Sequence, residues 1–233
     1  MTDLPQPEPA PPVALDLVRR DVVVPKLRRI ALICFAVGAA LALLVSLVSQ
    51  LWIGVLVGAV VGGPPGFGAL FAARRAAWLD GRTVYSRGLT TKSVDTGALR
   101  RAEVTVQPGR FRQVHLVLQD HQSTVTVHLA LYGTDRGAEL DLMAIRRLAD
   151  VLAMSESITA GTVSRVLVEH LRAEARGAAL TERPLYRAVE RAESQRGPGA
   201  PRPAAAQGGL QKPSRTGRVV LTDADLVSLL DTD

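Results

Sequence analysis

The sequence predicts an α+β membrane protein, in which a two-helix transmembrane hairpin precedes a small antiparallel sheet, a C-terminal helix that closes the sheet, additional helices and a disordered tail. Residues 30–73 contain no Asp, Glu, Lys, Arg or His, which is typical of membrane-spanning segments. Residues 83–132 alternate apolar and polar side chains between turn residues, as strands do. Residues 142–152 switch to apolar residues at helical spacing.

The chain of 233 residues has room for one modest globular domain together with an anchor and tails. Its first 13 residues include five prolines, which favours an extended, flexible segment. We therefore divide the chain into a flexible cytoplasmic leader (1–29), the transmembrane hairpin (30–73), a cytoplasmic domain (78–154), a helical extension (155–195), and a basic linker with an acidic C-terminal segment (196–233).

The uncharged segment is long enough for two membrane spans, residues 30–49 and 51–73, because one span needs about 20 apolar residues. Only residues 49–50 separate the spans, so the helices form an antiparallel hairpin. Two buried core helices are disfavoured by the long absence of charge, and a cleavable signal peptide by the 29 residues that precede the apolar run. Pro64 and Pro65 predict a bend, beyond which the second helix continues.

Basic residues flank the hairpin and are absent from its connection. Those before it are Arg19, Arg20, Lys26, Arg28 and Arg29, and those after it are Arg74, Arg75, Arg82 and Arg87. Because cytoplasmic segments next to membrane spans are enriched in Lys and Arg, we expect a multi-pass plasma-membrane protein with both termini cytoplasmic. Trp52 and Trp78 are expected at the two membrane interfaces, where indole rings concentrate.

Small residues recur at every fourth position in both predicted spans. They are Cys34, Gly38, Ala42 and Ser46 in the first helix and Gly54, Gly58, Gly62 and Gly66 in the second. Such stripes allow the close backbone approach on which helix association in lipid depends. Two interpretations are open at this point: the stripes pack the hairpin against itself, or the glycine stripe docks another membrane protein or a second copy of the chain.

The cytoplasmic domain is predicted to contain five strands followed by three helices. The strands are residues 83–87, 90–94, 99–107, 111–120 and 123–132, and the helices are residues 142–152, 158–176 and 184–194. Alternation places Val114, Leu116 and Leu118, and likewise Val125, Val127, Leu129 and Leu131, on the core face of an antiparallel sheet. Thr181 is a candidate cap for the last helix.

This order of elements resembles a known family. A strand opening at residues 81–88 (GRTVYSRG), a turn and strand over 94–106 and the helix at 142–152 follow a two-helix anchor. The arrangement resembles the bacterial pleckstrin-homology-like (PH-like) domains of small actinobacterial membrane proteins, over about 80 residues. The resemblance implies a binding or assembly module without catalytic residues. It does not extend to phosphoinositide binding, because the first strand-turn-strand unit has no basic cluster and Lys92 has no basic neighbour in its own strand.

We expect no catalytic residues, no cofactor and no metal site. The sequence has no phosphate-binding glycine loop, serine nucleophile elbow or two-histidine zinc helix. A turn at residues 121–122 would place His115 opposite His128 on the polar face of the sheet. Two imidazoles make an incomplete metal site, so solvated surface histidines are the favoured interpretation. His170 is expected at a surface or an interface.

The C-terminal tail changes character along its length. Residues 196–218 are basic and rich in Pro, Gly and Ala, which predicts a disordered linker that is either solvated or attracted to anionic lipid headgroups. Residues 219–233 are acidic and amphipathic, and Thr222 can cap a short helix. Its leucines form a candidate partner-binding motif, Leu226, Leu229 and Leu230. The alternative is a tail that frays or docks on its own domain.

Composition and motifs together favour a non-enzymatic interaction or assembly module, anchored at the cytoplasmic face of the plasma membrane. The expected partners are membrane lipid and other proteins, or a second copy through the glycine stripe. Nucleic acid is excluded, because the basic residues are dispersed and no binding motif accompanies them. The alternatives are an enzyme with an unrecognised site and a small accessory subunit of a membrane transporter complex, although the predicted spans lack the ionisable residues typical of transport pathways.

Overall fold

The computed structural model describes residues 11–17, 20–48, 50–109, 111–133, 137–196 and 218–230. The chain forms two compact units. The hairpin unit comprises Val18–Ala76 and Arg87–Thr91, and the α+β domain comprises Met1–Leu17, Ala77–Ser86 and Lys92–Asp233. Two long apolar helices and a separate body of antiparallel sheets and helices confirm the predicted α+β class.

Two antiparallel helices make up the hairpin unit. Helix α1 spans Arg20–Val48 and helix α2 spans Leu51–Arg74. The segments Val23–Leu47 and Leu51–Arg74 are each long and apolar enough to cross a membrane. Helix α2 runs through both Pro64 and Pro65, as the length requirement of a span predicted.

The N-terminal leader contains regular structure, which its proline content did not predict. Helix α1 begins at Arg20 instead of residue 30 and includes Pro25, so the helix extends beyond the apolar run. Strand β1 (Val13–Ala14) pairs antiparallel with β2 (Ala76–Asp80). The leader is therefore not flexible throughout; its residues 1–10 and 18–19 lie outside the described residues.

The first sheet of the α+β domain has four strands in the order β1-β2-β3-β4, with β3 at Thr83–Arg87 and β4 at Thr91–Asp95. Strands β3 and β4 lie within one residue of their predicted bounds. Strand β2 contains Trp78, whose ring stacks on that of Tyr85 at a centroid distance of 5.3 Å. The short 3-10 helix Thr96–Ala98 leads out of this sheet.

The second sheet has five strands in the order β8-β7-β6-β5-β9. Its long central strands are β5 (Arg101–Gln107), β6 (Arg112–Gln119) and β7 (Thr124–Tyr132), which confirm the predicted strands. Two short edge strands, β8 (Gly137–Glu139) and β9 (Val219–Val220), were not predicted. Edge strands this short carry too few residues to show an alternating pattern.

A β-bulge between β6 and β7 changes which residues face the core. Val114 pairs with Ala130, but His115 pairs with His128, so Leu129 is the extra residue on β7. Both Leu129 and Ala130 are buried, and so is Tyr132, whereas Leu131 is only half-buried. The strict alternation that placed Leu131 on the core face was wrong after this bulge.

Four helices complete the α+β domain: α3 (Leu142–Ala153), α4 (Ile158–Ala175), α5 (Pro184–Arg196) and α6 (Asp223–Ser228). The first three confirm the predicted helices. The Ser164 hydroxyl donates a hydrogen bond to the Ala149 carbonyl at 2.7 Å and joins α4 to α3. Thr181 lies within the 3-10 helix Leu180–Glu182 and does not cap α5.

The C-terminal segment 218–230 is folded onto the domain, in agreement with the alternative that the tail docks on its own domain. Strand β9 pairs with β5 through Thr105 and Val106, and Leu221 is buried beside it. Burial of apolar side chains and pairing at the sheet edge together offset the conformational entropy that this segment loses on folding. The predicted basic linker falls almost entirely on residues 197–217, which lie outside the described residues.

Candidate functional site

The small-residue stripes of the hairpin face each other. All four glycines of the α2 stripe are buried. A methyl group added to Gly58 would meet Gly38 and Ala42, one added to Gly62 would meet Cys34 and Gly38, and Gly54 faces Ser46. We call this contact the helix seam: Cys34, Gly38, Ala42 and Ser46 of α1 against Gly54, Gly58 and Gly62 of α2. Gly66, the fourth glycine of the stripe, packs against the Phe35 ring. The glycine stripe is therefore covered within the chain, so a second copy could use it only by displacing α1.

The candidate partner motif is buried in its own domain. Leu226 is 1% exposed and Leu229 5% exposed, and Leu230 packs against the same core. Thr222 caps α6 as predicted, with its hydroxyl accepting a hydrogen bond from the Asp225 amide. Since the apolar face of α6 is covered, the leucines stabilise the domain and are not a free docking motif.

Asp225 adds a polar anchor to the same segment. It accepts a hydrogen bond from the Gln195 side chain at 2.8 Å and lies 3.6 Å from the Arg191 guanidinium. Hydrogen bonds from Thr222 and Gln195 hold the pKa of its carboxyl below the usual value. Asp225 thus attaches the tail to α5.

The predicted register of the histidine pair is confirmed, but the predicted exposure of His115 is wrong. His115 pairs with His128, and their ring centroids lie 4.6 Å apart at an interplanar angle of 72°. His115 is only 3% exposed, whereas His128 is exposed. Burial, with the neighbouring His128 and Arg218, lowers the pKa of His115 to about 4. The imidazole is therefore neutral at pH 7.

His170 is also buried, in contrast to the predicted surface position. It is 0% exposed on α4 and lies at the centre of a polar cluster. We call this set the buried charge cluster: Tyr132, Glu139, His170, Glu174 and Arg183. The cluster joins β7, β8, α4 and the residue that precedes α5.

Contacts within the buried charge cluster centre on Glu139. Its Oε1 accepts a hydrogen bond from the Tyr132 hydroxyl at 2.6 Å, and its Oε2 contacts the Arg183 guanidinium. The same Oε2 lies 3.6 Å from Nε2 of His170, and Arg183 lies 3.7 Å from Oε2 of Glu174. Two carboxylates, an imidazole and a guanidinium are thus held together in a mostly buried setting.

The electrostatics of the cluster keep Glu139 ionised. Burial alone would raise the pKa of the Glu139 carboxyl, but His170, the Tyr132 hydroxyl and Arg183 outweigh burial and hold that pKa at about 2. Burial and the negative charge of Glu139 raise the pKa of Tyr132. Tyr132 therefore stays protonated and acts as a hydrogen-bond donor.

An apolar groove runs along the surface where α3 meets α4. Its floor and walls are Leu142, Met143, Ala149, Val168, Leu171 and Ala175, and charged rims are provided by Arg146, Asp150, Arg172 and Glu174. Leu142 is 43% exposed and Met143 59% exposed. The groove has a volume of about 530 Å³. We call it the α3–α4 groove.

The sequence analysis did not find the buried charge cluster or the groove. One local signal was present for the cluster, because His170 and Glu174 are four residues apart and so share one face of a helix. Glu139 and Arg183 reach the same point through tertiary packing, which spacing does not encode. The groove was missed because a helix pattern shows which face is apolar, but not how much of that face remains uncovered.

Comparisons with protein-family models, with curated proteins and with solved structures found no match for this chain.

Proposed function

We propose that this chain is a non-enzymatic interaction module, anchored in the plasma membrane by its hairpin unit, whose α+β domain recruits a protein at the cytoplasmic face. The α3–α4 groove is the observation that carries the proposal. Two helices of sufficient length and apolarity support the anchor, and the arginine-rich flanks support the cytoplasmic placement of both termini. The resemblance to PH-like domains stays a prediction.

The shape and chemistry of the groove fit an amphipathic helix of a partner protein. The groove floor is aliphatic, and its two walls are themselves helices, an arrangement in which a third helix can insert apolar side chains at positions i, i+3 and i+7. Arg146 and Asp150 on one rim and Arg172 on the other offer both signs of charge to the flanks of that helix. Met143 adds an adaptable apolar surface, as methionine does at many recognition sites.

Photo-crosslinking in native membranes tests this function. A photoreactive amino acid at Met143 should capture a specific protein, and a second groove substitution, Leu171→Glu, should abolish that capture. Ile158, which is 85% exposed but does not line the groove, is the matched control position. The proposal is contradicted if capture from Ile158 equals that from Met143, or if Leu171→Glu leaves the captured protein unchanged.

A further inference from the structure

Three potential metal ligands converge in the buried charge cluster. His170 and Glu174 are one helical turn apart on α4, and Glu139 reaches them from β8. One donor atom from each residue lies within 4.8 Å of the donors of the other two. The set of one imidazole and two carboxylates is one that Zn²⁺ and neighbouring divalent transition metals bind.

The separation between His170 and Glu139 suits a shared metal ion better than a hydrogen bond. Nε2 of His170 and Oε2 of Glu139 are 3.6 Å apart, which is too long for a hydrogen bond. Two ligands at about 2.1 Å from one tetrahedral Zn²⁺ lie about 3.4 Å from each other. The observed distance is therefore close to that of two donors on one ion.

His170 provides an independent indication of a ligand. It is fully buried, and neither of its ring nitrogens has a hydrogen-bond partner among the described residues. Buried polar atoms nearly always have a partner, because an unsatisfied one has lost its hydrogen bonds to water without replacement. A metal ion bound at Nε2 would satisfy the nitrogen that lies 3.6 Å from Oε2 of Glu139.

The Arg183 guanidinium is the positive group that contacts the carboxylates of this cluster. It contacts Glu139 and lies 3.7 Å from Glu174. One guanidinium faces two carboxylates here, so the carboxylates outnumber the cationic side chain that contacts them. Arg183 precedes α5 and is partly exposed, so its side chain can turn toward solvent when an ion enters.

We propose that Glu139, His170 and Glu174 bind a divalent transition metal ion of the zinc class, in competition with the Arg183 guanidinium. Glu174, whose side chain is 29% exposed, opens the site to solvent. Tyr132 orients Glu139 through the hydrogen bond to its other oxygen, the arrangement that outer-shell partners of metal ligands adopt. A bound ion would tie the β8 edge of the sheet to α4, and it would share Glu174 with the rim of the α3–α4 groove.

Cobalt binding to the full chain in lipid nanodiscs, purified without a histidine tag, tests this site. Co²⁺ should produce visible d–d absorption bands that Zn²⁺ displaces, and Zn²⁺ should raise the thermal unfolding midpoint. Glu174→Gln should weaken Zn²⁺ binding by at least about 100-fold, and Tyr132→Phe by about 10–100-fold. Arg183→Gln should strengthen binding, which a purely structural ion-pair network would not do.

Two controls distinguish this site from other ligands. Glu169→Gln changes a carboxylate on the same helix that pairs with Arg172 and Arg176, and it should leave Zn²⁺ affinity unchanged. His128→Gln removes one member of the other histidine pair and should also have no effect. Absence of the cobalt bands, loss of binding in His128→Gln, or equal affinity in Glu174→Gln and the unmodified chain would each overturn the proposal.

Discussion

The helix seam predicts that a single methyl group at Gly58 destabilises the hairpin. A Cβ atom at this position would lie 2.5 Å from the Gly38 carbonyl oxygen and 2.7 Å from the Ala42 Cβ. Neither atom can be moved by a change of rotamer. Ordinary contact begins at 3.4 Å, so Gly58→Ala requires the helices to separate locally by about 0.9 Å.

The size of the effect follows from this separation. A gap of about 0.5–1 Å forfeits a quarter to a half of the van der Waals energy of each contact, and close packing is the main attraction between helices in lipid. Overpacking typically costs about 1–3 kcal/mol. We expect a loss of about that size in Gly58→Ala relative to Gly63→Ala, because a Cβ at Gly63 would have no atom within 4 Å beyond its chain neighbours and the backbone of its own helix.

The two variants form a matched pair. Both replace glycine by alanine in the same helix, so the gain in helix propensity of about 0.5–1 kcal/mol cancels in the comparison. Reversible unfolding in mixed micelles of increasing SDS content, followed by energy transfer between fluorophores on the two helices, measures the difference. Equal midpoints for Gly58→Ala and Gly63→Ala would refute the reasoning. Loss of a dimer without loss of hairpin stability would instead assign the glycine stripe to a second copy.

Three further predictions concern the tail, the buried histidine and the topology. Leu226→Ala should destabilise the α+β domain by about 2–5 kcal/mol in thermal unfolding, because its side chain is buried, and an equal effect of the exposed control Val227→Ala would contradict it. Burial lowers the pKa of His115 from 6.5 to about 4, so the unfolded chain binds more protons and stability falls as pH drops from about 6.5 to 4; His115→Gln should flatten that profile. A reporter fused after Asp233 should be cytoplasmic and one inserted at Gln50 external, and a periplasmic signal from the first fusion would overturn the topology.

Local sequence patterns were sufficient for the long elements. The 3.6-residue period of α3 and the turn between β6 and β7 located those elements within one or two residues, because burial of one face imposes the same pattern on the chain. The stripe spacing also located the residues of the helix seam. Small side chains at every fourth position form one face of a helix whatever that helix contacts.

The same patterns did not predict the short elements or the edge strands. Strands β1 and β9 have two residues each, and each is stabilised by a partner strand that is distant in sequence. The bulge at Leu129 reversed the inward and outward positions of the residues that follow it. The sequence pattern of the α6 leucines is equally consistent with a partner-binding motif and with part of the domain core, because an apolar stripe does not specify what covers it.

The sequence by itself determined the two apolar helices, the α+β class and the positions of the small-residue stripes, since each depends on periodicity or composition within one segment. Only the tertiary structure decided that His115 and His170 are buried, that Leu226 packs inside the domain, and that Glu139 and Arg183 meet at α4. The physical reason is that burial and charge pairing depend on which distant segments pack together. That choice depends on the free energy of the whole domain, which no local period encodes.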